Sequence, residues 1–148
     1  MRIVVQRVKR ASVAVDGAIK GKIEKGLLVY AGVGKGDTDA DIEYIASKLL
    51  GLRIFEDSEG KMNLDILQTG GEVLLISQFT LQGDCRKGRR PSFDQAETPE
   101  AARLLYEKLV KRIGESVRVA IGEFQAHMEV ESINDGPVTM LLDSKRLF

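Results

Sequence analysis

Leu27-Leu28-Val29-Tyr30-Ala31-Gly32-Val33 is an unbroken apolar run of strand length. A strand without polar alternation is one buried on both faces. Val73-Leu74-Leu75-Ile76-Ser77-Gln78-Phe79 predicts a second such strand, apolar until its last turn of chain. Working outward, Arg2–Val8 and Ser12–Val15 read as two strands, and Asp16-Gly17 as a tight turn leading into a returning strand, Ile19–Ile23. Gly32, Gly34 and Gly36 mark a loop, without the spacing of a dinucleotide motif. Thr38 with Asp41 resembles a capping box, and Ile42, Ile45, Ala46, Leu49 and Leu50 recur at helical spacing as far as Gly51. Short strands are expected over Leu52–Glu56 and Met62–Ile66, and a charged loop over Asp84–Phe93. Thr98-Pro99-Glu100 opens a second helix, with Ala101, Leu104, Leu105, Leu109 and Ile113 as its apolar positions and Gly114 as its stop.

Beyond it, Val117, Val119 and Ile121 alternate as a strand. Gly122 breaks the phase, and Phe124, Ala126, Met128 and Val130 alternate in the other register, as a bulge would allow. Val138–Leu142 is the last expected strand. No linker, repeat or low-complexity stretch divides the chain. The expected fold is mixed α/β: a single domain over 1–148, with a curved, largely antiparallel or mixed β core covered by two helices.

Composition narrows the function classes. Hydrophobic residues make up 43% and charged residues 30% of the 148, the balance of a globular protein. Lys+Arg 22 against Asp+Glu 22 argues against a protein that coats DNA by charge alone. A local patch does exist: Arg86-Lys87-Gly88-Arg89-Arg90 carries four cations in five residues, and is either a solvated loop or a phosphate contact. With one cysteine, no signal-like start and no long apolar span, a cytoplasmic protein with no membrane association is expected. Cys85 has basic neighbours but no evident base, and reads as an incidental thiol.

Conventional catalytic groups are scarce. One histidine and one cysteine cannot make the usual zinc site, so no metal or cofactor is expected. A triad could use only His127. Strand alternation would put His127 on the face opposite Met128, so it is expected on the surface, away from any pocket that Met128 lines. Ser77, Gln78 and Thr80 at a strand end could bind a substrate, and free backbone N–H groups there could stabilise an oxyanion. On spacing alone, a satisfied strand end before a Gln82-Gly83 turn is the stronger reading. Asn134-Asp135-Gly136-Pro137 reads equally well as a turn into the last strand. Arg7 shares a face with Ile3 and Val5, so it is either partly buried and in need of an acceptor or snorkelling from a strand end.

Taken in order, Met1-Arg2-Ile3-Val4-Val5-Gln6-Arg7-Val8, Gly32-Val33-Gly34, Ser77-Gln78-Phe79-Thr80-Leu81, Lys87-Gly88-Arg89-Arg90-Pro91-Ser92-Phe93 and Asn134-Asp135-Gly136-Pro137-Val138-Thr139 resemble the D-aminoacyl-tRNA deacylases of the bacterial D-tyrosyl-tRNA deacylase type. The resemblance spans essentially the whole chain. It implies a homodimeric hydrolase of D-aminoacyl-tRNA, with aminoacylated tRNA rather than DNA as partner. It further implies that Gly136-Pro137 carries a cis peptide and enters the partner's pocket, and that Arg7 fixes that motif. Ser77, Gln78, Phe79 and Thr80 would line the site, together with Met128. Catalysis would draw on the RNA's own 2′-hydroxyl. The backbone N–H groups of Phe79 and Thr80 are the candidate oxyanion hole, and the Thr80 hydroxyl as covalent nucleophile is the alternative. Arg86, Lys87, Arg89 and Arg90 are expected on the acceptor-stem phosphates, with Lys108, Lys111 and Arg112 extending that surface. An esterase for small D-amino-acid derivatives and a non-catalytic tRNA-binding module are the competing functions.

Overall fold

The computed structural model describes residues 1–148. Its frame is one long strand, β1 (Arg2–Val15), where two strands are expected from the sequence. Arg7 and Val8 are both buried, so the inward face switches between them while the strand continues. Along one edge of β1 lie β2 (Ala18–Ile23) and β3 (Gly26–Gly32), end to end: Ala11 is opposite Ile23, and Val8 is opposite Gly26. Along the other edge runs the last strand. β6 (Glu72–Ser77) pairs parallel to β3, and β7 (Val119–Ile121) pairs parallel to β6. β7 also comes into contact with β2, so the sheet curls until it nearly closes.

The two central strands are apolar on both faces because each face has its own core. Leu27, Val29, Ala31, Val73 and Leu75 pack with Ile3 and Val5 beneath two helices, α1 (Asp39–Leu50) and α3 (Pro99–Gly114). Leu28, Leu74 and Ile76 face inward with Val8, Ala11, Val13 and Ile23, filling the curl of the sheet. Each fully buried Val, Leu or Ile among them contributes about 1.5–3 kcal/mol relative to exposure. α1 buries the stripe read from its sequence: Ile42, Ile45, Ala46, Leu49 and Leu50. α3 departs from expectation. Its buried residues are Tyr106, Leu109 and Ile113, and Leu104 is exposed, because the inward stripe follows Ala102 at helical spacing. The Tyr106 hydroxyl donates to the Leu75 carbonyl at 2.7 Å, and burial pushes its pKa up.

Between these elements lie a small hairpin, β4 (Phe55–Glu56) and β5 (Met62–Leu64), and a short third helix, α2 (Ile66–Thr69). The third helix was not expected, although Asp65 and Gln68 form its capping box. The segment from 122 to 128 is not a strand. Gln125 takes a positive φ of 65° and Ala126 N–H closes a turn onto the Glu123 carbonyl. The last strand, β8, starts at Glu129 and runs to Asp143.

A polar latch ties β8's end to the start of α1. The Asp41 carboxylate accepts from the Thr38 N–H at 2.8 Å, the Ser144 hydroxyl at 2.6 Å and the Lys145 ammonium at 2.7 Å. Burial pushes its pKa up, but these donors outweigh burial and hold the carboxyl well below its ordinary 3.8. A depressed carboxyl stabilises the fold above the ordinary value and loses that contribution as pH falls through the folded value. Urea midpoints should therefore fall as the pH is lowered from about 5 to about 2, and Asp41→Asn should make that fall shallower. An unchanged slope in the variant would show that Asp41 contributes nothing to it.

Candidate active site

Parallel strands β3, β6 and β7 end on the same side of the molecule, where open α/β sheets commonly bind ligands. A cleft of about 540 Å³ lies there. Ile76 and Ser77 at the end of β6 form its floor, with Gln78 and Phe79 beyond them. Pro99 and Ala102 of α3 form one wall, and the segment from Phe124 to Met128 forms the other. The structure therefore brings together Ser77, Gln78, Phe79 and Met128, four residues singled out by sequence.

His127 departs from the sequence reading. It is exposed, as expected, but it lines the same cleft as Met128 rather than the opposite face. The alternation argument required a strand, and the turn at Gln125 removes that premise. Side-chain hydrogen bonds within the chain do not involve His127, so no partner orients its imidazole as a triad would. Glu97 also lines the cleft, and its carboxylate accepts from the Thr98 N–H at 2.8 Å. Sequence reasoning missed Glu97, Phe124, Gln125 and Ala126, which carry no motif.

After β6 the chain tightens into a 3-10 helix, Phe79–Gln82. The N–H groups of Phe79 and Thr80 fall in its first turn, where intrahelical acceptors are lacking, and they have no backbone partner elsewhere. Thr80 itself does not line the cleft, and its hydroxyl accepts a hydrogen bond from the Gln78 amide. Two side chains bolt this turn down. Buried Gln82 donates to the Gly32 carbonyl at 2.8 Å, and the Arg2 guanidinium joins the Leu81 carbonyl at 3.2 Å to the Asp143 carboxylate at 2.9 Å.

Asn134-Asp135-Gly136-Pro137 is not a turn that precedes a strand. It interrupts β8 as a wide bulge. Asn134 is opposite Val8 and Thr139 is opposite Gln6, so the four residues from 135 to 138 face Arg7 alone. Asn134 closes the neck by accepting from the Val138 N–H at 2.8 Å. Arg7, 5% exposed, donates to the Asp135 carbonyl at 2.8 Å and to the Ile54 carbonyl at 2.6 Å. The buried alternative for Arg7 is the correct one. The Gly136-Pro137 bond is cis, and both residues are exposed on the bulge, outside their own chain's cleft.

The basic segment is a hairpin-like loop closed by the Asp84–Ser92 bridge. Arg86 is committed to Asp84 through a bidentate pair at 2.9 and 2.6 Å, which pulls the Asp84 pKa down to about 2. Lys87, Arg89 and Arg90 make no ion pair within the chain. On α3, Lys108 and Arg112 are engaged by Asp39 and Glu43 of α1, which weakens their expected part in a basic surface.

The cleft thus combines apolar walls with an adjoining 3-10 turn whose first N–H groups lack a backbone partner, and no oriented acid–base pair lines it. The chain belongs to the D-Tyr-tRNA(Tyr) deacylase family, whose model matches residues 4–143. It is 59% identical to a D-aminoacyl-tRNA deacylase of Koribacter versatilis and 57% identical to one of Thermosipho melanesiensis, with 100% of each chain covered. Among solved structures, a "c-Myc DNA Unwinding Element Binding Protein" superposes with a TM-score of 0.92 at 39% identity, covering 97% of this chain and 98% of that one. A "probable eukaryotic D-amino acid tRNA deacylase" shares the fold at a TM-score of 0.78 and 18% identity, covering 95% and 97%.

The bulge yields a direct test. Gly136 has φ +147°, and a Cβ there would meet Val138 Cγ2 at 2.7 Å and Val138 N at 2.8 Å. Gly136→Ala should destabilise the protein by about 1–3 kcal/mol in chemical denaturation. Unchanged stability would contradict the described bulge.

Proposed function

We propose that the protein is an aminoacyl-tRNA editing hydrolase that removes D-amino acids from tRNA and spares the L-esters. The observation that carries this reading is a division of parts. The cleft offers apolar walls, and the 3-10 turn beside it carries main-chain N–H groups without a backbone partner, while the Gly136-Pro137 bulge, pinned by Arg7 and Asn134, stands exposed outside its own chain's cleft. A second copy would bring its bulge to this cleft. The outer edge of β8 invites such a copy, because β8 pairs only with β1 and Ile133, Met140 and Leu141 are exposed along it.

In this reaction water attacks the ester carbonyl carbon. The N–H groups of Phe79 and Thr80 hold the oxyanion as it forms. The bond to the ribose oxygen then breaks, and that oxygen leaves with a proton, giving free amino acid and tRNA. The ester is already activated, so modest stabilisation suffices. Proton movement falls to the RNA's 2′-hydroxyl, in keeping with the unoriented His127. Lys87, Arg89 and Arg90 meet acceptor-stem phosphates.

Chirality follows from exclusion. The D and L forms differ by exchanging hydrogen and side chain at one carbon. Backbone carbonyls of Gly136 and Pro137, on a bulge pinned by Arg7 and Asn134, leave no room where an L side chain would go. Rejection by clash tolerates many D side chains and cannot exclude glycine.

Hydrolysis of D-tyrosyl-, L-tyrosyl- and glycyl-tRNA by the purified protein tests this directly. Loss of the D-ester and of glycine with the L-ester spared is expected. Equal loss of both enantiomers would remove the chiral role of the bulge, and tRNA binding without turnover would leave a binding module. Thr80→Ala should retain most of its activity, rather than show the roughly 10²-fold or greater loss of an essential reacting group. Total loss with unchanged tRNA affinity would favour a covalent route through the Thr80 hydroxyl.

A further inference from the structure

Phe79 is 58% exposed, an unusual state for a phenylalanine at the mouth of an apolar cleft. Its ring meets Phe93 edge-on, with centroids 5.1 Å apart and planes at 62°. Phe79 lines the cleft and Phe93 does not, so the pair leads outward from the rim. Phe93 lies directly against the 3-10 turn, since a Cβ on Gly83 would come within 3.1 Å of its ring. Just beyond, the Asp84–Ser92 bridge closes the loop that carries Lys87, Arg89 and Arg90, which form no ion pair within the chain. Arg86 is held against Asp84 and serves as a brace.

An exposed ring, with a half-buried second ring against it and unpaired cations beyond, fits single-stranded nucleic acid, whose bases stack on rings while its phosphates meet the charges. We propose that Phe79 and Phe93 form a stacking platform for the unpaired nucleotide that precedes the terminal adenosine of the substrate tRNA. Resting on the deacylase reading above, this assigns the ring pair to RNA binding and separates that role from the main-chain donors of the same turn. The adenosine and its ester lie in the cleft. The preceding base crosses the rim on the rings, and its phosphates run toward Lys87, Arg89 and Arg90.

Steady-state kinetics on two substrates tests the platform: D-tyrosyl-tRNA, and D-tyrosyl-adenosine, which ends where the stacked nucleotide would begin. Phe93→Leu should raise KM for the tRNA about tenfold with kcat unchanged, and should leave kcat/KM for the adenosine ester within about twofold. Phe93→Tyr, which keeps the ring, should restore the tRNA KM. Equal losses on both substrates would make Phe93 a support of the 3-10 turn and overturn the proposal, as would no loss on either. Should the wild type hydrolyse neither D-ester, the deacylase reading fails on its own. Affinity for unacylated tRNA then decides the platform: about tenfold weakening in Phe93→Leu supports it, and no weakening overturns it.

Discussion

One buried guanidinium sits where the fold and the site meet. Arg7 occupies the position at which β1 switches its inward face, and it spans from the Ile54 carbonyl to the Asp135 carbonyl. The carboxylates of Glu56 and Asp135 lie 3.8 Å away, close enough to balance its charge without direct bonding. A buried charge is tolerated only when its donors are satisfied, and stranding one costs about 3–5 kcal/mol. The five donors of arginine lie in a fixed plane, which lets one side chain serve two separate carbonyls. A lysine could not hold both in the same geometry. The long strand, the segment leading to β4 and the bulge of β8 are thereby referred to one another.

Around that anchor the site is built from main chain. The 3-10 turn after β6 leaves two amides free, and side chains from distant parts of the sequence, Gln82 and Arg2, secure it to β3 and to the end of β8. Main-chain donors held this way need little reorganisation as charge develops, which is where electrostatic stabilisation gains most. The bulge follows the same logic. Its shape comes from backbone conformation, from Asn134 across its neck and from Arg7 behind it. On the proposed reading, specificity in such a site would come from rigidity and exclusion.

Much of this was legible in the sequence where local pattern and tertiary environment agree. The apolar runs at Leu27–Val33 and Val73–Ile76 announced strands covered on both faces, and each face has its core. Thr38 and Asp41 marked the start of α1. The failures have physical causes. Gln125 adopts a left-handed conformation that no periodicity announces, and it turned an expected strand into a cleft wall, carrying His127 to the side of Met128. Leu104 has the character of a core residue but the phase of a surface one. Asn134-Asp135-Gly136-Pro137 read as a turn because Asn, Asp, Gly and Pro favour turns, whereas here those residues build a bulge inside a strand that continues on both sides. The cleft-lining Glu97, Phe124 and Ala126 belong to no motif, and only the fold brings them together.

If the protein contributes main-chain donors and shape, and the proton transfers belong to the RNA, the decisive substrate is D-tyrosyl-tRNA whose terminal adenosine lacks the 2′-hydroxyl. Single-turnover hydrolysis of that substrate, beside the unmodified one at matched saturation, separates the two sources of catalysis. Near-complete loss of the chemical step with tRNA affinity intact is the expected result. Hydrolysis at the unmodified rate would contradict it, and would require a side chain of the cleft, with His127 first in line, to move the proton.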